Sequence, residues 1–120
     1  VCDRAYENDV ETLLMVRRFI NYLPANNKQK PPFRPTPDRP NRMEMSLDTL
    51  VPDNPNMPYD MKELIHKTVD SGDFFEIQDA HARNIICGFA RIKGRTVGIV
   101  ANQRKVVKSK KGEMQFGGVI

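Results

Sequence analysis

The sequence predicts an α/β chain, ordered as helix, extended proline-rich strap, helix, short strand and β-hairpin. Three observations carry this expectation. Residues 8–23 and 60–71 repeat apolar side chains at helical intervals behind capping residues. All nine prolines of the 120-residue chain fall between Pro24 and Pro58. After Phe74 the apolar period drops to two, and Lys93-Gly94 divides two strand-like runs.

In the first helix Asn8 stands at the N-cap and Glu11 three residues on, the spacing of a capping box. Val10, Leu13, Leu14, Ile20 and Leu23 form the stripe expected to pack, and Pro24 stops the helix. The strap over 24–58 contains no Gly and only Ser46, so it is not a flexible Gly/Ser linker. Each proline removes a donor and fixes φ, which predicts an extended, polyproline-like path. Phe33, Met43, Met45, Leu47, Leu50, Val51, Met57 and Tyr59 give the strap an apolar side expected to lie on another surface. So long a run without regular structure is unusual inside a small domain, and it predicts a connection between two larger units.

The second helix takes Asp60 as N-cap and Glu63 as its box partner, with Gly72 at the left-handed position past its end. Leu64, Ile65, Thr68 and Val69 make its stripe. Phe74–Ile77, Ile85–Ile92 and Arg95–Ala101 then read as strands. Ile86, Gly88, Ala90 and Ile92 fall on one face. Gly94 is expected at positive φ in a two-residue turn. Gly88 and Gly98 mark places where another backbone approaches closely.

Composition excludes several function classes. Hydrophobic residues make up 39%, so the core is modest. The net charge is +4, yet residues 1–103 hold 14 basic and 14 acidic side chains. The excess is one local run, Arg104, Lys105, Lys108, Lys110 and Lys111 against Glu113. A nucleic-acid face would be broader and interleaved with aromatics, and only Phe116 lies near, so the run reads as a solvated loop. No stretch approaches the ~20 apolar residues of a membrane span. Cys2 and Cys87 cannot build a disulfide framework, and no signal peptide is visible, which together predict free thiols in the cytoplasm. Val1 in place of a start Met predicts a processed chain or an excised piece.

Catalytic chemistry is sparse. His66 has Asp70 four residues on but no second ligand, and reads as a helix-surface histidine. His81 beside Asp79 cannot fill a zinc site, and Cys87 beside Gly88 has no visible base, so it reads as a small core residue. The phosphate-loop, nucleophile-elbow and dinucleotide motifs are all missing. Gly117-Gly118 is the one glycine pair; adjacent amides can bind an anion, but such a pair more often makes a turn. Residue chemistry alone assigns no catalytic residue and no metal ligand.

Seven short blocks stand in order along the chain. They are Phe19 to Asn27, Lys30-Pro31-Pro32, Leu47 to Asp53, Pro58-Tyr59-Asp60-Met61, Gly72 to Glu76, Asn84 to Arg91, and Gly94 to Gln103. Together they resemble the carboxyltransferase (β) subunit of biotin-dependent acyl-CoA carboxylases, a family that includes propionyl-CoA carboxylase β, the transcarboxylase large subunit and methylmalonyl-CoA decarboxylase α. The likeness covers nearly all of 1–103. It implies a fragment of a crotonase/ClpP-like fold. Residues 1–23 would be the last helix of the N-terminal half, 24–58 the strap between halves, and 59–120 the start of the C-terminal half.

The resemblance further implies carboxyl transfer between carboxybiotin and the α-carbon of a short acyl-CoA of the propionyl-CoA/methylmalonyl-CoA class. The oxyanion holes are backbone amides, and their loops would lie outside this chain, so no catalytic residue is transferred to it. Biotin would arrive on a partner domain or subunit, with biotin carboxylase and carrier subunits and further β copies as partners. Asn102, Gln103, Gly117 and Gly118 would border the pocket on the biotin side. Two positions depart from the family pattern: Arg104 stands where Pro usually follows Asn-Gln, and the basic stretch Lys105–Met114 lengthens the connection. Alone, these residues would be inactive and would self-associate. The alternative is a standalone interaction module, with a partner-binding strap containing the P-x-x-P of Pro32-Phe33-Arg34-Pro35 and a basic tail.

Overall fold

A computed structural model describes residues 2–105. Helix α1 spans Asp9–Ile20 and helix α2 Met61–Thr68, and short 3-10 turns occupy Met45–Leu47 and Asp70–Gly72. Strands β1 (Phe74–Ile77), β2 (Ile85–Ile92) and β3 (Arg95–Asn102) form an antiparallel sheet in the order β1-β2-β3. The element order is the one the sequence predicts. Gly117-Gly118 and the basic residues from Lys108 to Lys111 lie outside the described residues.

Local chemistry sets the helix starts. The Asn8 side chain accepts from Glu11 N at 2.9 Å. The Glu11 carboxylate reaches back to Glu7 N at 3.3 Å, one residue beyond the usual capping box. Both helices end three residues before their expected limits. Leu23 precedes Pro24 and is biased away from helical backbone, while Arg91 Nη2 takes the Asn21 carbonyl at 2.8 Å. Past α2, Val69 is already extended, and Ser71 and Gly72 have φ of 54° and 65°. Arg42 Nη2 takes the freed Lys67 carbonyl at 2.9 Å.

The sheet is covered on one face and, over β1 and β2, on the other. On one side Ile65 and Val69 of α2 pack with Phe74, Ile86 and Ala90, flanked by Met61, Val97, Ile99 and Ala101. On the other, Phe19 of α1 stacks 5.7 Å from Phe75 and meets Phe89 edge-on at 5.6 Å. Buried Tyr22 follows, with Arg91 over its ring at 4.2 Å. Its hydroxyl donates to Asp73 at 2.8 Å, and Arg18 pairs with the other oxygen of that carboxylate. The side that packs is therefore Met15 and Phe19 of α1, continued by Tyr22 just past its end. The predicted stripe points outward instead: Val10 is 69% exposed and Leu13 64%. Both sides of α1 are apolar, and the aromatics win the sheet because they bury the larger surface.

Further expectations are corrected. Gly88 does meet a close neighbour, since a Cβ there would fall on the Phe75 carbonyl and the Phe74 ring. Gly98 does not; a Cβ there would face open space. Ile92 is exposed at the hairpin end rather than sharing the buried face of Ile86 and Ala90. His66 is exposed on α2 as expected, and its Nδ1 lies 2.8 Å from the Gly72 carbonyl. Of the strap's apolar residues Phe33, Met43, Met45, Val51 and Met57 are exposed, whereas Leu47, Leu50 and Tyr59 are half-buried.

The strap is held chiefly by polar bonds. Arg34 N donates to the Gly94 carbonyl at 2.9 Å, Asp38 accepts from Ser71 N at 2.7 Å, and Arg34 Nη2 reaches the Asn21 side chain at 2.9 Å. Asp70 accepts from Lys93 N at 2.9 Å and Gly94 N at 2.6 Å, clasping the hairpin by its turn.

Two predictions follow from this packing. Gly94 has φ of 74°, and a Cβ there would strike the Arg34 carbonyl and the Phe33 ring. Gly94→Val is expected to destabilise the protein by about 1–3 kcal/mol in denaturant unfolding, whereas Gly98→Ala should cost far less. The bare face of α1 and an unpaired outer edge on β3 among the described residues should make the isolated 120 residues associate. Light scattering over a concentration series should give a mass above the 13.8 kDa monomer, and a concentration-independent monomer would refute this.

Candidate functional site

The site proposed from sequence falls where β3 ends. Asn102 closes the strand, pairs in register with Ile85, and is exposed. Gln103 is half-buried and turns back onto the start of α2. Its Oε1 accepts from Met61 N at 3.0 Å and from Lys105 N at 3.1 Å. Its Nε2 donates to Asp60 Oδ1 at 2.8 Å. The same Asp60 oxygen accepts from Lys62 N at 3.0 Å, and Lys105 Nζ stands 3.5 Å from Oδ2. Gln103 N donates to the Asn84 carbonyl at 2.8 Å, and Arg104 reaches the Pro55 carbonyl at 3.3 Å. One side chain thus ties together the end of β3, the first turn of α2 and the loop that follows.

This arrangement uses up the first amides of α2. Met61 N goes to Gln103, Lys62 N to the Asp60 side chain, and Glu63 N to the Asp60 carbonyl at 3.2 Å. A helix N-terminus with free amides would hold an anion, but this one is satisfied internally. The backbone-amide oxyanion chemistry implied by the resemblance has no donor there. Of the residues named from sequence, the structure brings Asn102 and Gln103 side by side, exposed and clamped respectively. Gly117 and Gly118 lie outside the described residues.

Burial pushes the Asp60 carboxyl up, but hydrogen bonds from Gln103 and Lys62 and the nearby Lys105 charge outweigh it and hold the pKa below the ordinary 3.8. Asp60 was legible as a cap; its bond to Gln103, 43 residues away, was not. The one available signal was the oxygen a capping aspartate keeps to spare.

The chain is similar to known proteins in both fold and sequence. The transcarboxylase 12S crystal structure, with hydrolysed methylmalonyl-coenzyme A bound, superposes on 75% of this chain and 17% of its own at a TM-score of 0.71 and 36% identity. The fold is that of the crotonase-like carboxyltransferases. The carboxyl transferase domain model matches residues 1–120, and the chain belongs to that family. The propionyl-CoA carboxylase beta chain of Roseobacter denitrificans is 65% identical over 107 residues, which are 89% of this chain and 21% of that protein. The methylmalonyl-CoA decarboxylase subunit alpha of Veillonella parvula is 48% identical over 103 residues, 86% of this chain and 20% of its own. The chain spans about a fifth of the length of these curated relatives.

Because the Asp60 pKa is depressed on folding, its contribution to stability is present above the unfolded value and lost as pH falls through the folded one. The stability gap between wild type and Asp60→Asn should hold steady near neutral pH and close below 3.8 in a urea-unfolding series.

Proposed function

We propose that this chain is the central part of an acyl-CoA carboxyltransferase subunit, which moves a carboxyl group between carboxybiotin and the α-carbon of a short acyl-CoA. The observation that carries this is the 65% identity to a propionyl-CoA carboxylase beta chain, sustained over 89% of the residues. Residues 1–23 close the N-terminal half, 24–58 form the strap, and 59–120 open the C-terminal half. Biotin, carried by a partner domain or subunit, supplies the activated carboxyl. The loop from Asn102 borders its pocket, with Gly117 and Gly118 further along the same border. Biotin carboxylase, carrier and further β subunits are the partners. Within this chain the residues build a frame, and the oxyanion amides come from sequence on either side. Against the standalone-module reading, the P-x-x-P stretch is already engaged by the hairpin turn, through Arg34 N on the Gly94 carbonyl at 2.9 Å.

The full subunit containing this chain, with its carrier partner, should exchange carboxyl groups with propionyl-CoA or methylmalonyl-CoA. The 120 residues alone should show none above background. Absence of exchange by the full subunit with every short acyl-CoA would sink the assignment. Turnover by the isolated chain would show that its oxyanion donors lie inside it.

A further inference from the structure

We infer that Gln103 is a positioning residue, whose side chain clamps the loop leaving β3 to the N-terminus of α2 and so sets the pocket border. This rests on the proposed carboxyltransferase reading for the role of that border. The clamp itself rests on geometry alone.

The amide of Gln103 suits this task in a way few side chains would. Its oxygen accepts two backbone N–H groups, from Met61 at 3.0 Å and Lys105 at 3.1 Å, and its nitrogen donates to Asp60 at 2.8 Å. These partners leave one orientation of the amide: reversed, its NH2 would face two N–H groups and its oxygen a carboxylate. Through this one side chain the end of β3 is joined to two further segments, the start of α2 by two bonds and the outgoing loop by one. The Met61 bond reaches across to α2, the Lys105 bond bends the outgoing loop, and the Asp60 bond locks the ring of contacts shut. Asn102, immediately before, is left exposed. Gln103 therefore acts on the pocket through the path of the chain and not as part of its wall.

Among the described residues the charges around the clamp are few. Lys105 Nζ lies 3.5 Å from Asp60 Oδ2. Lys62 turns its ammonium to Glu76 at 2.7 Å, Glu63 pairs with Lys67 at 2.8 Å, and Arg104 lies on the Pro55 carbonyl at 3.3 Å. Replacing the Gln103 amide with a carboxylate would thus set two anions at hydrogen-bond distance, with Lys105 alone among the described residues to offset them. Such a pair closes only by sharing a proton, which raises its apparent pKa.

The test uses the full subunit with its carrier partner and two variants. Gln103→Met keeps the volume and removes all three bonds. Amide exchange of the peptides holding Met61 and Lys105 should then run about fivefold faster, the loss of roughly one hydrogen bond. Carboxyl transfer should fall at every pH. Gln103→Glu keeps the acceptor but forces the proton-sharing pair. Its transfer rate relative to wild type should be low near pH 8 and recover toward about pH 6. Unchanged exchange in Gln103→Met would show there is no clamp. Faster exchange with a flat Gln103→Glu to wild-type ratio across pH would show a clamp that serves stability alone, and the positioning role would be overturned. If wild type transfers no carboxyl group, the functional reading fails and the positioning role with it, while amide exchange still reports separately on the clamp.

Discussion

The Asp70 carboxylate holds the hairpin by its turn, and the arrangement of the rest depends on that grip. Its oxygens accept from Lys93 N at 2.9 Å and Gly94 N at 2.6 Å, two amides that a turn of this kind leaves pointing outward. Asp70 can reach them because α2 stops at Thr68 and the chain turns through left-handed Ser71 and Gly72. The hairpin end is thereby placed beside the strap, where the Gly94 carbonyl receives Arg34 N at 2.9 Å. A few residues on, Asp73 receives Tyr22 and Arg18 of α1. Two acids three residues apart tie the turn, and through it the strap, and the first helix to the same sheet.

That polar framework matters because the apolar core is small. The α2 face of the sheet has a closed cluster around Ile65, Val69, Phe74, Ile86 and Ala90. On the other face α1 covers only the β1–β2 half, through Phe19 and Tyr22. Gly98 looks onto open space and Val100 is 64% exposed. A chain with one closed layer and one half-covered layer depends more than usual on directed bonds to fix its elements. Each such bond contributes only about 0.5–1.5 kcal/mol net, or ~1.5–3 kcal/mol where a charge takes part. The number of carboxylates and arginines spanning different elements is what makes the frame specific.

The sequence carried the local structure better than the tertiary choices. Asn8, Asp60 and Lys93-Gly94 announce their roles because caps and tight turns are decided within four residues, and the backbone geometry there agrees with the expectation. The strand register is likewise legible in the alternation about Ile86, Gly88 and Ala90. The buried face of α1 was not, since Val10, Leu13 and Leu14 periodically match a core stripe as well as Met15, Phe19 and Tyr22 do. What separates the two faces is the presence of Phe75 and Phe89 opposite one of them, a fact some 56 to 70 residues away in the chain. The strap misled in a related way. Its methionines suggested burial, yet it is held by Arg34, Asp38 and Arg42, which meet Gly94, Ser71 and Lys67 late in the chain and Asn21 before the strap.

The same distinction explains what was visible of the candidate site. Asn102 and Gln103 drew notice through a family pattern, which places residues near a pocket without saying how they act. Their physical roles separate only once α2 is in place. The exposed amide of Asn102 remains available to a neighbour, whereas every polar atom of the Gln103 side chain already has a partner. A residue whose oxygen already takes two backbone amides and whose nitrogen is tied to a carboxylate has little left to bind a ligand. On the proposed reading it acts on the pocket by deciding where the next residues go. On the proposed carboxyltransferase reading, in which preorganised amides rather than a side-chain nucleophile carry the reaction, fixing the path of the backbone is itself a catalytic requirement. A frame of this kind suits that proposed chemistry, because transition-state charge is stabilised by donors held in place before the substrate arrives.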